Sequence, residues 1–122
     1  MKHLFIPYRL ALIAKEKGFN DSCFGGYYLF ENKPDLCIYQ DENEFSDSKE
    51  IILQAPLYQQ IVDWFREKHK IFIMLDCTNT KYPNGNWECE IHSNNDKKYG
   101  HFGFENYYEA LNKSIEEALK LI

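Results

Sequence analysis

Neither a C-x-x-C pair nor a glycine-rich phosphate loop occurs in these 122 residues. Without paired cysteines there is no zinc-ribbon or thioredoxin-type spacing to read, and Cys23, Cys37, Cys77 and Cys89 lie scattered. They are expected to be reduced, mostly structural thiols. G-x-G-x-x-G, P-loop, G-x-S-x-G and EF-hand patterns are missing too, which removes the common dinucleotide, esterase and calcium readings. Basic residues are few: 14 Lys and Arg against 19 Asp and Glu give a formal charge of −5. Broad contact with a nucleic-acid backbone needs the opposite balance, because neutralising phosphates supplies much of that affinity. No apolar run approaches the length of a membrane span, and "MKHLFIPYRL" lacks a signal-peptide hydrophobic region. No membrane partner and a cytoplasmic location are therefore expected.

Aromatic residues, by contrast, are plentiful at 16%, with nine Tyr, nine Phe and two Trp. Many must fill the core, and the surplus of Tyr can build a binding surface at low entropic cost. With 44% apolar residues, the chain suffices for one α+β domain over residues 1–122 without metals or disulfides.

Pro7 and Gly18 bracket a helix over 7–17, with Leu10, Ile13 and Ala14 on one face. "GYYLFE", "NKPD" and "LCIYQ" read as a hairpin, strands 27–31 and 36–40, turning at residues 32–35. Residues 41–50 hold five acids without periodicity and read as a loop. Pro56 opens a second helix, where Leu57, Ile61, Trp64 and Phe65 recur at helical spacing to about Lys68. "IFIMLDC" is a buried strand, and Asn84-Gly85 is a hairpin signal. Strict pairing about that turn puts Trp87, Cys89 and Ile91 on the face of Phe72 and Met74; a one-residue shift selects Ile73 and Leu75 instead. A strand over Tyr99–Phe104 follows. Asn106 and Glu109 then form a variant capping box before a helix striped by Leu111, Ile115, Ala118, Leu119 and Ile122. The expected order is α-β-β-α-β-β-β-α, with helices packed on one face of a mainly antiparallel sheet.

In "WECEIHS", Glu88, Glu90 and His92 alternate with Trp87, Cys89 and Ile91. If residues 95–98 form a four-residue loop, His101 falls opposite His92, and Glu90, His92 and His101 become candidate metal ligands. The simpler account is a solvated sheet face, because alternation brings polar positions on neighbouring strands together unaided. Tyr27, Tyr28 and Tyr39 are candidates for a ligand-stacking platform, although neighbouring residues of a strand face opposite ways. Cys77 and Cys89 fall at apolar strand positions and read as buried thiols, not nucleophiles. "Phe24-Gly25-Gly26" reads as a turn.

From Pro56 onward the order α-β-β-β-α resembles double-stranded-RNA-binding domains. However, "KYPNGNW" lacks that family's Gly-Pro-x-His contact, and "ENYYEA" stands where the family carries lysines. Across the chain, "RLALIAKEKGFND", "APLYQQIVDWFREKHKI" and "YYEALNKSIEEALKLI" resemble small proteins of Bacteroidetes genomes and their phages or mobile elements. That resemblance is least distinctive over 24–54. It implies an accessory gene product and carries over no catalytic residues, because the group has no established activity. The leading expectation is a non-catalytic binding protein that engages a host protein. A small-ligand or nucleotide-binding module comes second, and a metalloprotein or enzyme on the Glu90/His92/His101 face third. No cofactor is implied, nucleic acid is discounted, and a homodimer stays open.

Overall fold

The computed structural model describes residues 1–39, 49–81, 85–93 and 97–122. The fold is α+β, with two antiparallel three-stranded sheets in place of the single sheet expected. The chain divides into two compact units, Met1–Gln60 and Ile61–Ile122, each with its own sheet. Most of the acidic segment, residues 41–48, lies outside the described residues.

In the first unit, helix α1 spans Tyr8–Glu16 with Pro7 as its N-cap. It ends in a Schellman motif: Phe19 N–H bonds the Ala14 carbonyl at 2.9 Å, and Gly18 N–H bonds that of Lys15 at 3.0 Å. Gly18 supplies the left-handed residue the motif needs, at φ +104. Strands β1 (Gly25–Phe30) and β2 (Lys33–Ile38) form the hairpin, but its turn is Glu31-Asn32, so β2 starts three residues earlier than expected. Both turn residues have positive φ, 51° and 65°, the signature of the tight turn that matches strand twist. Pro34 is thereby drawn into β2, an edge strand, where a missing N–H is tolerated.

Beyond the expected set, strand β3 (Leu53–Ala55) pairs on the other side of β1 and contacts α1. Gly25 and Gly26 are not a turn but the start of this central strand. A Cβ on Gly25 would meet the Phe5 ring and the Cys37 carbonyl at 2.9 Å. One on Gly26 would collide with the Tyr39 hydroxyl and come within 2.6 Å of Ile51. Each glycine lets another side chain lie directly on the strand.

Helix α2 (Tyr58–Trp64) crosses the division between units and widens into a π-helical turn over Phe65–His69. The Phe65 carbonyl accepts from Lys70 and Ile71, with Lys70 left-handed at φ 54°. Ile61, Trp64 and Phe65 of the expected stripe are buried. The second sheet runs β4 (Phe72–Cys77), β5 (Trp87–His92), β6 (Lys98–Phe104), in that spatial order. Helix α3 (Tyr107–Leu119) packs on all three strands. Its N-cap Asn106 accepts from the Tyr108 and Glu109 N–H groups at 2.8 and 3.3 Å. Leu111, Ile115, Ala118 and Leu119 are buried as the stripe requires, joined by Ser114, whose hydroxyl donates to the Ala110 carbonyl.

Candidate functional site

Cys89 and Ile91, at most 1% exposed, mark the face of the second sheet that α3 covers. Ile73 pairs with Ile91 and Leu75 with Cys89, so the register is the shifted one and not that of strict pairing about Asn84-Gly85. The loop is longer than two residues: Thr78 N–H bonds the Asn86 carbonyl, and Asn86 N–H bonds that of Asn79. Asn84 itself lies outside the described residues. This register turns Phe72 and Met74 outward, where they are 44% and 55% exposed.

The outer face can therefore be laid out by pairing. Phe72 lies opposite His92, Met74 opposite Glu90, and Asp76 opposite Glu88. On the far side of β5, Lys98 lies opposite His92 and Gly100 opposite Glu90. Glu90 and His92 are two apart on one strand and so share a face. The His92 imidazole bonds one Glu90 carboxylate oxygen at 3.1 Å, and Lys98 Nζ sits 3.0 Å from the other. These hydrogen bonds, from His92 first and Lys98 second, hold the Glu90 carboxyl below its ordinary value. The polar centre of the face is thus internally satisfied. Asp76 and Glu88 differ: they oppose each other across the ladder, and among the described residues no cation pairs with either.

His101 does not join this group. It pairs with Cys89, in register with the face that α3 covers. Between the partners of Cys89 and Trp87, β6 takes in an extra residue, and Gly103 there has φ +82. That bulge lies beyond His101. The two imidazoles are separated already by the loop register, because pairing His92 with Lys98 puts His101, three residues further on, on the opposite face. Among the described residues, no three His, Cys, Asp or Glu side chains converge as a metal-holding group. Cys89 lies opposite His101 in the ladder but is buried, and no hydrogen bond among the described residues joins the two.

The three tyrosines in the first unit play separate parts. Tyr27 is buried, donates to the Ile6 carbonyl at 2.5 Å and meets Tyr8 edge-on at 5.3 Å. Burial, aided by Tyr58, pushes its hydroxyl pKa up to about 12. Tyr28 points to the other face, donates to Asp35 at 3.2 Å and has Lys49 Nζ 4.9 Å from its ring centre. Tyr39 donates to Gln54 at 3.0 Å while lying over Gly26. Tyr27 is thus apart from the other two, whereas Tyr39, lying over Gly26, is on the same face of β1 as Tyr28. Burial, with Asp21 adding to it, raises the Cys23 thiol to about 11, away from the reactive thiolate.

No family model matches the chain, and neither a curated protein nor a solved structure is similar to it.

The outward Phe72 and Met74 belong to the second of the two registers that the sequence leaves open, the one a longer loop selects. The displaced His101 had no signal in the sequence, because it follows from β6 starting at Lys98, inside the loop expected over 95–98.

Proposed function

We propose that this chain is a small non-catalytic binding protein that engages another protein through the outer face of β4 and β5. One observation carries the reading: Phe72 and Met74 stand bare beside a Glu90–His92–Lys98 cluster whose polar groups already bond one another. A metal or a substrate would need those polar groups available. An apolar surface from a partner needs only the two side chains left open. Covering the exposed part of each contributes roughly 1 kcal/mol, enough to anchor a modest interface. The three phrases that resemble small proteins of phages and mobile elements support an accessory role on a host protein. The small-ligand reading is second, because Tyr27 is buried and bonded to the Ile6 carbonyl and only Tyr28 and Tyr39 are left for a stacking surface.

The test compares capture of host proteins by the wild type and by a Phe72→Ser, Met74→Ser variant. A protein retained by the wild type and lost by the variant, with melting unchanged, supports the reading. Equal capture by both overturns it.

A further inference from the structure

The apolar strip on this face ends in a like-charge pair. Asp76 opposes Glu88 directly across the β4–β5 ladder, an arrangement that costs stability unless a cation intervenes. The cations nearest in the layout are already engaged. Arg66 pairs with Asp63 at 2.9 Å and Lys98 with Glu90 at 3.0 Å. Asp76 is exposed and Glu88 half-buried, so both are open to an incoming group. The chain as a whole is acidic as well, at −5. A partner surface that is basic would be drawn to it and favoured over an acidic one.

We infer that the occupant of this face is an extended, basic–apolar segment of another protein, carrying an arginine or lysine two residues from an apolar side chain. The inference rests on the protein-binding reading above and specifies the chemistry of the partner. The spacing follows from the sheet. Phe72, Met74 and Asp76 project from one face at every second residue, roughly 7 Å apart. An extended ligand has the same period. A cation placed between Asp76 and Glu88 therefore puts its i+2 neighbour over Met74 and its i+4 neighbour over Phe72. Beside this strip, a groove of about 320 Å³ lined by Val62, Arg66, Phe72, Ile73, Met74 and His92 leaves room for the apolar side chains.

The experiment titrates the full-length, 15N-labelled protein with synthetic hexapeptides, following amide shifts. The sequence RSLSLS carries the cation and both apolar groups on one face, ESLSLS reverses the charge, SSLSLS removes it, and RSSSSS removes the apolar groups. We expect RSLSLS to shift the amides of 72–76 and 88–92 and to bind about tenfold tighter than each of the others, the worth of one charge-assisted contact. Asp76→Asn, Glu88→Gln should abolish that preference while keeping the fold, and added salt should weaken it. Equal binding of SSLSLS and RSLSLS would overturn the basic character while leaving the docking face in place. Binding of RSLSLS unaffected by Phe72→Ser, Met74→Ser, or no shift with any peptide, would overturn both readings. Shifts of 72–76 that depend on protein concentration alone would assign the face to a second copy and overturn the inference.

Discussion

His101 lies opposite Cys89, and His92 lies opposite Lys98, so strand alternation puts the two imidazoles of the second sheet on different faces. With both oxygens of Glu90 occupied as well, zinc or manganese should leave the melting temperature where it is. A ligand held only by the folded form would add about 2.7 kcal/mol at a hundred times its Kd, a rise that thermal-shift measurement detects readily. A rise that disappears in His92→Ala would restore the metal reading.

Replacing Tyr27 by Phe removes the only side-chain donor described for the Ile6 carbonyl in a buried setting. The expected loss is about 1–3 kcal/mol in denaturant unfolding, against well under 1 kcal/mol for Tyr28→Phe. The raised Tyr27 pKa adds an alkaline signature. The unfolded chain loses this proton near 10, the folded chain near 12, so the associated stability is complete below about pH 10 and is lost as pH climbs toward 12. Tyr27→Phe should remove that part of the alkaline decline.

Glu90 works in the opposite direction. Its carboxyl is lowered in the folded chain by His92 and Lys98, so the contribution is present above the ordinary glutamate pKa and is lost as pH falls through the lowered one. Acid titration of the wild type and Glu90→Gln, followed by circular dichroism, should show the variant with the shallower acid limb. Parallel limbs would mean that the His92–Glu90–Lys98 contacts do not persist in solution.

Trp64 is 5% exposed and meets the His69 ring edge-on at 4.7 Å. Its truncation to Ala should cost about 3–5 kcal/mol, whereas Met74→Ser, on the open face, should stay within about 0.5 kcal/mol. Similar losses at the two positions would show that Met74 is covered.

A methyl group on Gly26 has nowhere to go between Tyr39 and Ile51. Gly26→Ala should therefore lower stability by about 1–3 kcal/mol, as overpacked sites do, and Tyr39→Ala in the same chain should recover part of that loss.

Helices were the legible part of this chain. Pro7 and Gly18 bracket α1, and Asn106 caps α3, because capping chemistry and a 3.6-residue stripe are both local. Strand pairing was not local, and there the reading slipped. Pro34 and Asp35 drew the turn away from Glu31-Asn32, because Glu is an unusual residue at positive φ. Asn84-Gly85 offered a tight hairpin, yet the bonds from Thr78 and Asn86 close a longer loop and reverse the facing of every residue in β4. Strand β3 is three residues long, too short for alternation to announce it. The acidic and histidine row on β5 was visible as an outward face. Its neighbours across the ladder depended on two loop lengths that sequence patterning does not set.

The π-helical turn after Trp64 means that this helix ends with one residue more than an α-helix would hold. Deleting any one of the exposed Arg66, Glu67 or Lys68 would shorten the Phe65-to-Ile71 bond from a six-residue to a five-residue separation, the spacing of an ordinary Schellman closure. The cost would be the contacts of His69 with the Trp64 and Phe65 rings and, where Arg66 is the residue removed, its pair with Asp63. At this turn the chain can shed one residue and still close the helix on Phe65.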